Sequence, residues 1–397
     1  APFYKQINLP LATNVGKCYD NRHNFAAMRI AIDCRLWDFK GASPYFFGAA
    51  ILPHLLQASS DHQFFLVFDQ NPPAAFKAMK HINLLVLKPQ ADSAATRALW
   101  YDLRLPALLS GHKIDLFLGA AGYISLRSPV KQVLLLHDAL GGEKAPSATG
   151  WPGSWYRRRL PSMVEKASLV ITGTRAQIKE ILPVAQPKET AVIPACNCFA
   201  IEPLPDESIK EETRKKLTGG TEYLLCREGW ESLDDGVELL LAFAAFKKRQ
   251  QTGMKLVLMG TPPNEKIWEE KIKSYRYRED VVIIKTPGSN EELSRILCSA
   301  YALVHLPALA KLVYLQAAFH CGVPVITWPL PSILEIAGDA ALYCTDAPGE
   351  TVAQNMMRMY KDENMRAGLI VKGLKYADEW NPQIVSQQLL EACTAHN

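Results

Sequence analysis

The residues best placed for chemistry follow apolar runs. His137 and Asp138 come directly after Val133-Leu134-Leu135-Leu136, a run that reads as a fully buried strand. An imidazole and a carboxylate at the end of such a strand sit where a cleft opens in parallel α/β folds, placed to move a proton or orient a hydroxyl. The plainer reading of His137 is a histidine that caps a strand. Glu335 comes just after Pro331-Ser332-Ile333-Leu334 at a helix start; its carboxylate either meets a ligand or answers the helix dipole. Thr174-Arg175 opens another helix at a strand end, where Arg175 either meets an anion or is a solvated first-turn side chain. Lys311 precedes an apolar helical stretch, as a point charge for an anion or as a solvated lysine. Trp151, Trp155, Tyr156 and Arg157-Arg158-Arg159 join aromatics to positive charge. They could touch an anionic membrane, or form a solvated helix face with the rings packed inward. There is no Walker loop, GxGxxG, HExxH, paired CxxC or GxSxG element, so kinase, dehydrogenase, zinc-protease and hydrolase-elbow readings lack support.

The elements that must position these residues alternate. Strands are predicted at 29–33, 63–69, 82–89, 113–119, 132–137 and 169–172, with helices at 46–59, 97–109, 156–166 and 175–182 and a turn at Gly41-Ala42-Ser43-Pro44-Tyr45. The stretch 201–221, with Pro203, Pro205 and mixed charge over 206–216, reads as a linker. Alternation then resumes: strands at 223–226, 255–259, 281–284, 302–305 and 323–327, helices at 236–251, 263–276, 291–298 and 313–319. Two doubly wound α/β units joined by a linker are the expectation, with ligands at the C-terminal ends of the strands.

A chain of 397 residues is long enough for two such units. Hydrophobic content of 48% with 21% charged residues is that of a globular protein, and a net charge of +4 is too small to argue for nucleic acid. Nine scattered cysteines, mostly in apolar runs, predict buried reduced thiols and a cytoplasmic setting. Cys196-Asn197-Cys198 lacks the spacing of a zinc site, and no metal is expected. No apolar run reaches the roughly 18–20 residues of a membrane span, and residues 1–27 show no signal-like apolar core.

The segment from Leu315 to Thr327 reads as helix, tight Gly322-Val323-Pro324 turn and buried strand; Pro331-Ser332-Ile333-Leu334-Glu335 and Gly338-Asp339-Ala340-Ala341-Leu342 follow. In this it resembles the donor-site segment of group 1 (family 4) glycosyltransferases. Shorter pieces are similar in the same order: Met28 to Leu36, Trp100 to Pro106, Leu136-His137-Asp138, Ala167 to Ala176, Val192-Ile193-Pro194, Leu239 to Phe243, Lys255 to Gly260 and Trp380. The resemblance implies the GT-B fold, two Rossmann-like domains facing each other across a cleft. It assigns 28–203 to an acceptor-side domain, on which 382–397 packs back, and 204–381 to a donor-side domain. Residues 1–27 are read as a disordered extension or a misread start.

By resemblance the activity would be transfer of a hexose from a nucleoside diphosphate sugar to a glycan or lipid-linked acceptor. His137 and Asp138 would lie at the reacting sugar, and Gly41, Arg227, Lys311 and Glu335 at the donor. No cofactor is implied. The chain departs from the family pattern where chemistry is concentrated: Leu309 and Ala317 stand where two glutamates are usual, Ala310-Lys311-Leu312 where a Gly-rich tripeptide is usual, and Asp234 where a lysine is usual. Each hydrogen-bonding partner removed from such a site costs roughly 1–3 kcal/mol. The alternative is therefore a catalytically inactive pseudo-glycosyltransferase that binds a glycan or partner subunit, its donor site plugged by Leu309, Leu312, Val313 and Ala317. A lipid-linked acceptor would bring the protein to the inner membrane face as a peripheral visitor. The sequence sets no oligomeric state.

Overall fold

The computed structural model describes residues 27–35, 51–57, 61–73, 76, 82–136, 153–194, 201–204, 206–227, 229–230, 232–262, 264–306, 312–345 and 348–395. Two parallel sheets organise them. The first contains β1 (Arg29–Asp33), β2 (Gln63–Phe68), β3 (Ile82–Val86), β4 (Leu116–Gly119), β5 (Lys131–Leu136), β6 (Leu169–Thr172) and β7 (Thr190–Val192), in the order β3-β2-β1-β4-β5-β6-β7. The second contains β8 (Tyr223–Cys226), β9 (Lys255–Met259), β10 (Val281–Ile284), β11 (Ala302–Val304), β12 (Val325–Thr327) and β13 (Ala341–Tyr343), in the order β10-β9-β8-β11-β12-β13. Every pairing is parallel. The central strands are buried along their length, as the uninterrupted apolar runs require of sheets covered on both faces. Each sheet starts at a middle strand, winds outward and then reverses, which is the doubly wound Rossmann pattern.

Helices described in the first unit are α1 (Leu52–Gln57), α2 (Ala94–Leu99), α3 (Leu105–Gly111), α4 (Gly153–Lys166) and α5 (Arg175–Ile181). Those after it are α6 (Glu207–Thr218), α7 (Leu233–Gln250), α8 (Glu265–Ser274), α9 (Asn290–Cys298), α10 (Leu312–His320), α11 (Pro331–Ala337), α12 (Pro348–Lys361), α13 (Glu363–Glu379) and α14 (Pro382–Thr394). The last helix returns to the first unit, where the Ser386 hydroxyl donates to the Ile51 carbonyl at 3.2 Å. Val385, Leu389, Leu390 and Cys393 of α14 join the same hydrophobic core as Ile51, Leu52 and Leu55.

Several local expectations need correction. The stretch 206–216, read as linker, is the helix α6. Asp206 caps it by accepting from the Ser208 N–H at 2.9 Å, Glu207 pairs with Lys210 and Arg214, and Gly219 ends it in a left-handed conformation. Its polarity is that of a solvated face, so composition alone misread it. The helix expected at 97–109 starts earlier, at a capping box built from Ser93 and Thr96, and passes through a π-helical turn at Trp100–Arg104. Pro106 lacks an N–H, and the Leu105 N–H reaches back to the Trp100 carbonyl, widening the turn. The strand expected from 113 starts only at Leu116. Lys113, at φ 48°, and Ile114 close the preceding helix, donating to the Ser110 and Leu109 carbonyls. Among the described cysteines, Cys34, Cys226, Cys298, Cys344 and Cys393 are buried and Cys321 is half-buried, all of them as thiols. No described helix is long and apolar enough to cross a membrane.

Candidate functional site

Because both sheets are parallel, the C-terminal ends of their strands gather the loops that can hold a ligand. In the second sheet, Arg227 directly follows β8. Its guanidinium is buried, lies 4.8 Å from the centre of the Tyr314 ring and donates from Nη2 to the Tyr314 hydroxyl at 3.2 Å. Tyr314 belongs to α10, so strand end and helix are tied by one cation–π contact, which sets the direction of the guanidinium. One strand along, His305 after β11 meets Thr327 at the end of the next strand, β12, Nδ1 to Oγ1 at 3.1 Å, with both side chains buried. A buried guanidinium at a strand end offers charge-assisted hydrogen bonds to phosphate oxygens.

The segment after Arg227 folds inward. Trp230 is fully buried, donates its indole N–H to the Met259 carbonyl at 3.1 Å and packs against Trp268. Asp234 and Asp235 then occupy the first turn of α7, where acidic side chains answer the helix dipole; Asp234 is exposed. Ala317 is fully buried in the core beside Leu312, Tyr314 and Leu315, so its small side chain serves packing.

Across the molecule, the first sheet presents a buried charged cluster. The Tyr101 hydroxyl donates to Asp33 Oδ2 at 2.6 Å, Arg35 Nε donates to the Tyr101 hydroxyl at 3.3 Å, and the Arg35 N–H donates to Asp33 Oδ1 at 3.0 Å. Asp69, at the end of β2, lies 3.9 Å from Arg35 and accepts from the Ala91 N–H at 3.0 Å. Burial pushes the Asp33 carboxyl above its usual range; the Arg35 guanidinium and the Tyr101 hydrogen bond pull it back only in part. The same burial, aided by the Asp33 charge, raises the Tyr101 phenol well above its ordinary value. The sequence hid this cluster because Asp33, Arg35 and Tyr101 sit in segments that read as strand end and helix. The one available signal was a carboxylate and a guanidinium closing an apolar strand.

Glu335, expected near a ligand, does face the other unit. What its carboxylate binds there is the start of α5: the Arg175 N–H donates to Oε2 and the Ala176 N–H to Oε1, both at 2.7 Å. The anion that meets the Arg175 turn is thus supplied by the chain itself. Thr174 and Gln177 complete the cap reciprocally. The Arg159 guanidinium of the basic run pairs with Asp102 and lies over the Tyr123 ring, while Arg158 is exposed. The remaining expected site residues, His137, Asp138, Gly41 and Lys311, and with them Leu309 and Ala310, lie outside the described residues. Among the described residues no group of three His, Cys, Asp or Glu side chains could hold a metal ion.

Comparison with known proteins bears on what this architecture is. Residues 232–376 match the family model described as glycosyl transferases group 1. No curated protein matches the chain. Among solved structures, HepE from Anabaena in complex with UDP-glucose is 16% identical, with 93% of this chain and 100% of that one covered at a TM-score of 0.64. WaaG, a glycosyltransferase involved in lipopolysaccharide biosynthesis, is 15% identical over 92% of this chain and 99% of its own, at a TM-score of 0.64. Sucrose-phosphate synthase from Thermosynechococcus elongatus is 14% identical over 92% and 98%, at a TM-score of 0.65. The chain therefore has the GT-B fold over nearly its whole length and, through its second Rossmann-like unit, resembles the group 1 glycosyltransferases.

Proposed function

We propose that this protein binds a nucleoside diphosphate sugar between its two units and transfers the hexose to a glycan or lipid-linked acceptor, through a donor site reduced relative to its relatives. The observation that carries this reading is the buried Arg227 guanidinium at the C-terminal end of β8, held on the Tyr314 ring. A buried cation set at a strand end suits a departing diphosphate, whose growing charge needs fixed donors. Lys311 would add a second positive charge, Gly41 a close backbone approach from the acceptor side, and His137 with Asp138 the groups near the transferred sugar. The protein would work as a cytoplasmic, peripheral partner of the membrane when its acceptor is lipid-linked.

A second reading has its own observation. Asp234, in the first turn of α7, puts negative charge beside the expected diphosphate, and Ala317, sunk in the core, offers no hydrogen bond to a ribose. These suit a non-catalytic glycan- or partner-binding subunit.

A thermal-shift titration with UDP, GDP and their sugar conjugates separates the two. A ligand at about 100 times its Kd adds roughly 2.7 kcal/mol of stability. The transferase reading expects a shift with one nucleotide that is lost in Arg227→Ala and in Lys311→Ala, followed by sugar release in single-turnover assays. A flat response to every nucleotide at millimolar concentration would overturn it in favour of the binding subunit.

A further inference from the structure

The contact between Glu335 and α5 joins residues 160 positions apart, and each belongs to a different Rossmann-like unit. Its geometry follows from the fold. Helix α5 follows β6 and α11 follows β12, so both begin at the C-terminal edge of a parallel sheet, and both starting ends point toward the gap between the units. Two helix N-termini brought together oppose their positive ends. Glu335, in the fifth position of α11, extends one carboxylate across and engages the first two amides of α5 at 2.7 Å each. The third amide, of Gln177, is taken by the Thr174 hydroxyl at 3.2 Å. The amides at the start of α5 are thus satisfied partly from within and partly by the other unit.

We propose that Glu335 is a clamp residue that holds the two units in the arrangement this contact fixes and thereby sets the width of the cleft. Both Glu335 and Arg175 are exposed, so water can replace the contact and the clamp is reversible. The chain passes from one unit to the other between β7 and α6 and again between α13 and α14, and these crossings are the places where a rotation can be absorbed. Breaking the clamp leaves α11 folded, because its own start carries Pro331 and its Leu334 N–H still reaches the Leu330 carbonyl. The proposal concerns domain arrangement and stands whichever reaction or ligand the cleft serves.

The test uses the full chain without ligand. Glu335→Ala should raise hydrogen exchange at the Arg175 and Ala176 amides about tenfold and increase the radius of gyration in solution scattering. Glu335→Gln, which keeps one acceptor oxygen, should fall between. Arg175→Pro attacks the contact from the other side. Proline fits the first helical position, and Thr174 before it is already extended at φ −146°, so the variant removes a donor while keeping the helix. It keeps the Ala176 amide on Glu335 and should give a partial expansion, like Glu335→Gln. Asp339→Asn, which breaks a pair with Lys372 inside the second unit, should change neither readout. Faster exchange with unchanged scattering would reduce Glu335 to a local cap and overturn the proposal. Unchanged exchange in Glu335→Ala would overturn it as well.

Discussion

The indole rings of Trp230 and Trp268 meet edge to face, with centroids 5.1 Å apart and planes at 79°. That pairing requires Gly236. A Cβ added there would lie 2.2 Å from the Trp230 carbonyl oxygen and 2.2 Å from Cη2 of Trp268. The carbonyl is main chain and the Trp268 side chain is buried, so neither can step aside. Overpacking of this kind costs about 3 kcal/mol, and alanine's better helix propensity returns about 1 kcal/mol. Gly236→Ala is expected to lose about 2 kcal/mol in urea unfolding, with altered tryptophan fluorescence in the native state. An unchanged urea midpoint would show that α7 can slide away from the pair.

Tyr101→Phe should destabilise the first unit by about 1–3 kcal/mol, because the hydroxyl both donates to Asp33 and accepts from Arg35 in a buried setting. The effect should depend on pH with a definite sign. Asp33 is raised in the folded state, so its protonated form is favoured there; stability is fullest below the unfolded carboxylate value and is lost as pH rises through the folded one. The Tyr101 hydrogen bond opposes that loss by favouring the carboxylate. Its removal raises Asp33 further, and the gap between wild type and variant should narrow as pH falls through the acid range. Denaturant midpoints at neutral and mildly acidic pH check this; a gap that widens toward acid would contradict the assignment.

Cys393 offers an alkaline counterpart. Burial pushes its thiol up to about 12, against an ordinary value of 9.0. The raised group contributes stability that is complete below the unfolded value and disappears as pH climbs toward 12. Between those limits the slope approaches about 1.4 kcal/mol per pH unit. Cys393→Ala should flatten the stability curve between pH 9 and 11 relative to wild type, at the cost of a small cavity visible at every pH. Equal slopes in the two proteins would place the alkaline loss elsewhere. The same burial predicts that Cys393 resists thiol reagents until the chain unfolds.

Much of the fold was legible in the sequence. Apolar runs such as Val133 to Leu136 and Leu256 to Met259 read as buried parallel strands, and their alternation with helical periodicity predicted both doubly wound units. What escaped includes β13, α12 and α13, which the alternation was not followed far enough to reach, and elements whose signal is not apolar. Helix α6 is made of charge pairs and caps, and β7 is a three-residue edge strand half exposed to solvent. The site was less readable than the fold. Arg227 could be singled out by position, but its partner Tyr314 could not, since a tyrosine in an apolar helix looks like core. Glu335 and Arg175 each looked like a group awaiting an anion or a helix end. That they answer one another is a fact of tertiary placement, which no spacing of 160 residues could express.

The apolar pattern of α14 shows an amphipathic helix, and only the family resemblance implied a seat for it on the first unit. Its buried Val385, Leu389 and Leu390 lie in a core shared with α1 of the first unit. Fully burying such side chains is worth roughly 1.5–3 kcal/mol each, so the helix contributes on the order of 6 kcal/mol, comparable to the total stability of a typical domain. A chain ending at Asn381 should therefore lose cooperative unfolding of the first unit and become protease-sensitive around Leu52–Gln57, although the deleted helix follows the second unit in sequence. Leu389→Ala, which leaves a cavity instead of removing the helix, should cost about 2–5 kcal/mol and remain folded. Ser386→Ala loses only the one hydroxyl proton, shared between the nearer Pro382 carbonyl and the Ile51 carbonyl, about 1 kcal/mol. That graded order, read by limited proteolysis and urea unfolding, identifies apolar burial as what fastens the chain end to the first unit; equal losses in the two point variants would assign that role to the hydrogen bond.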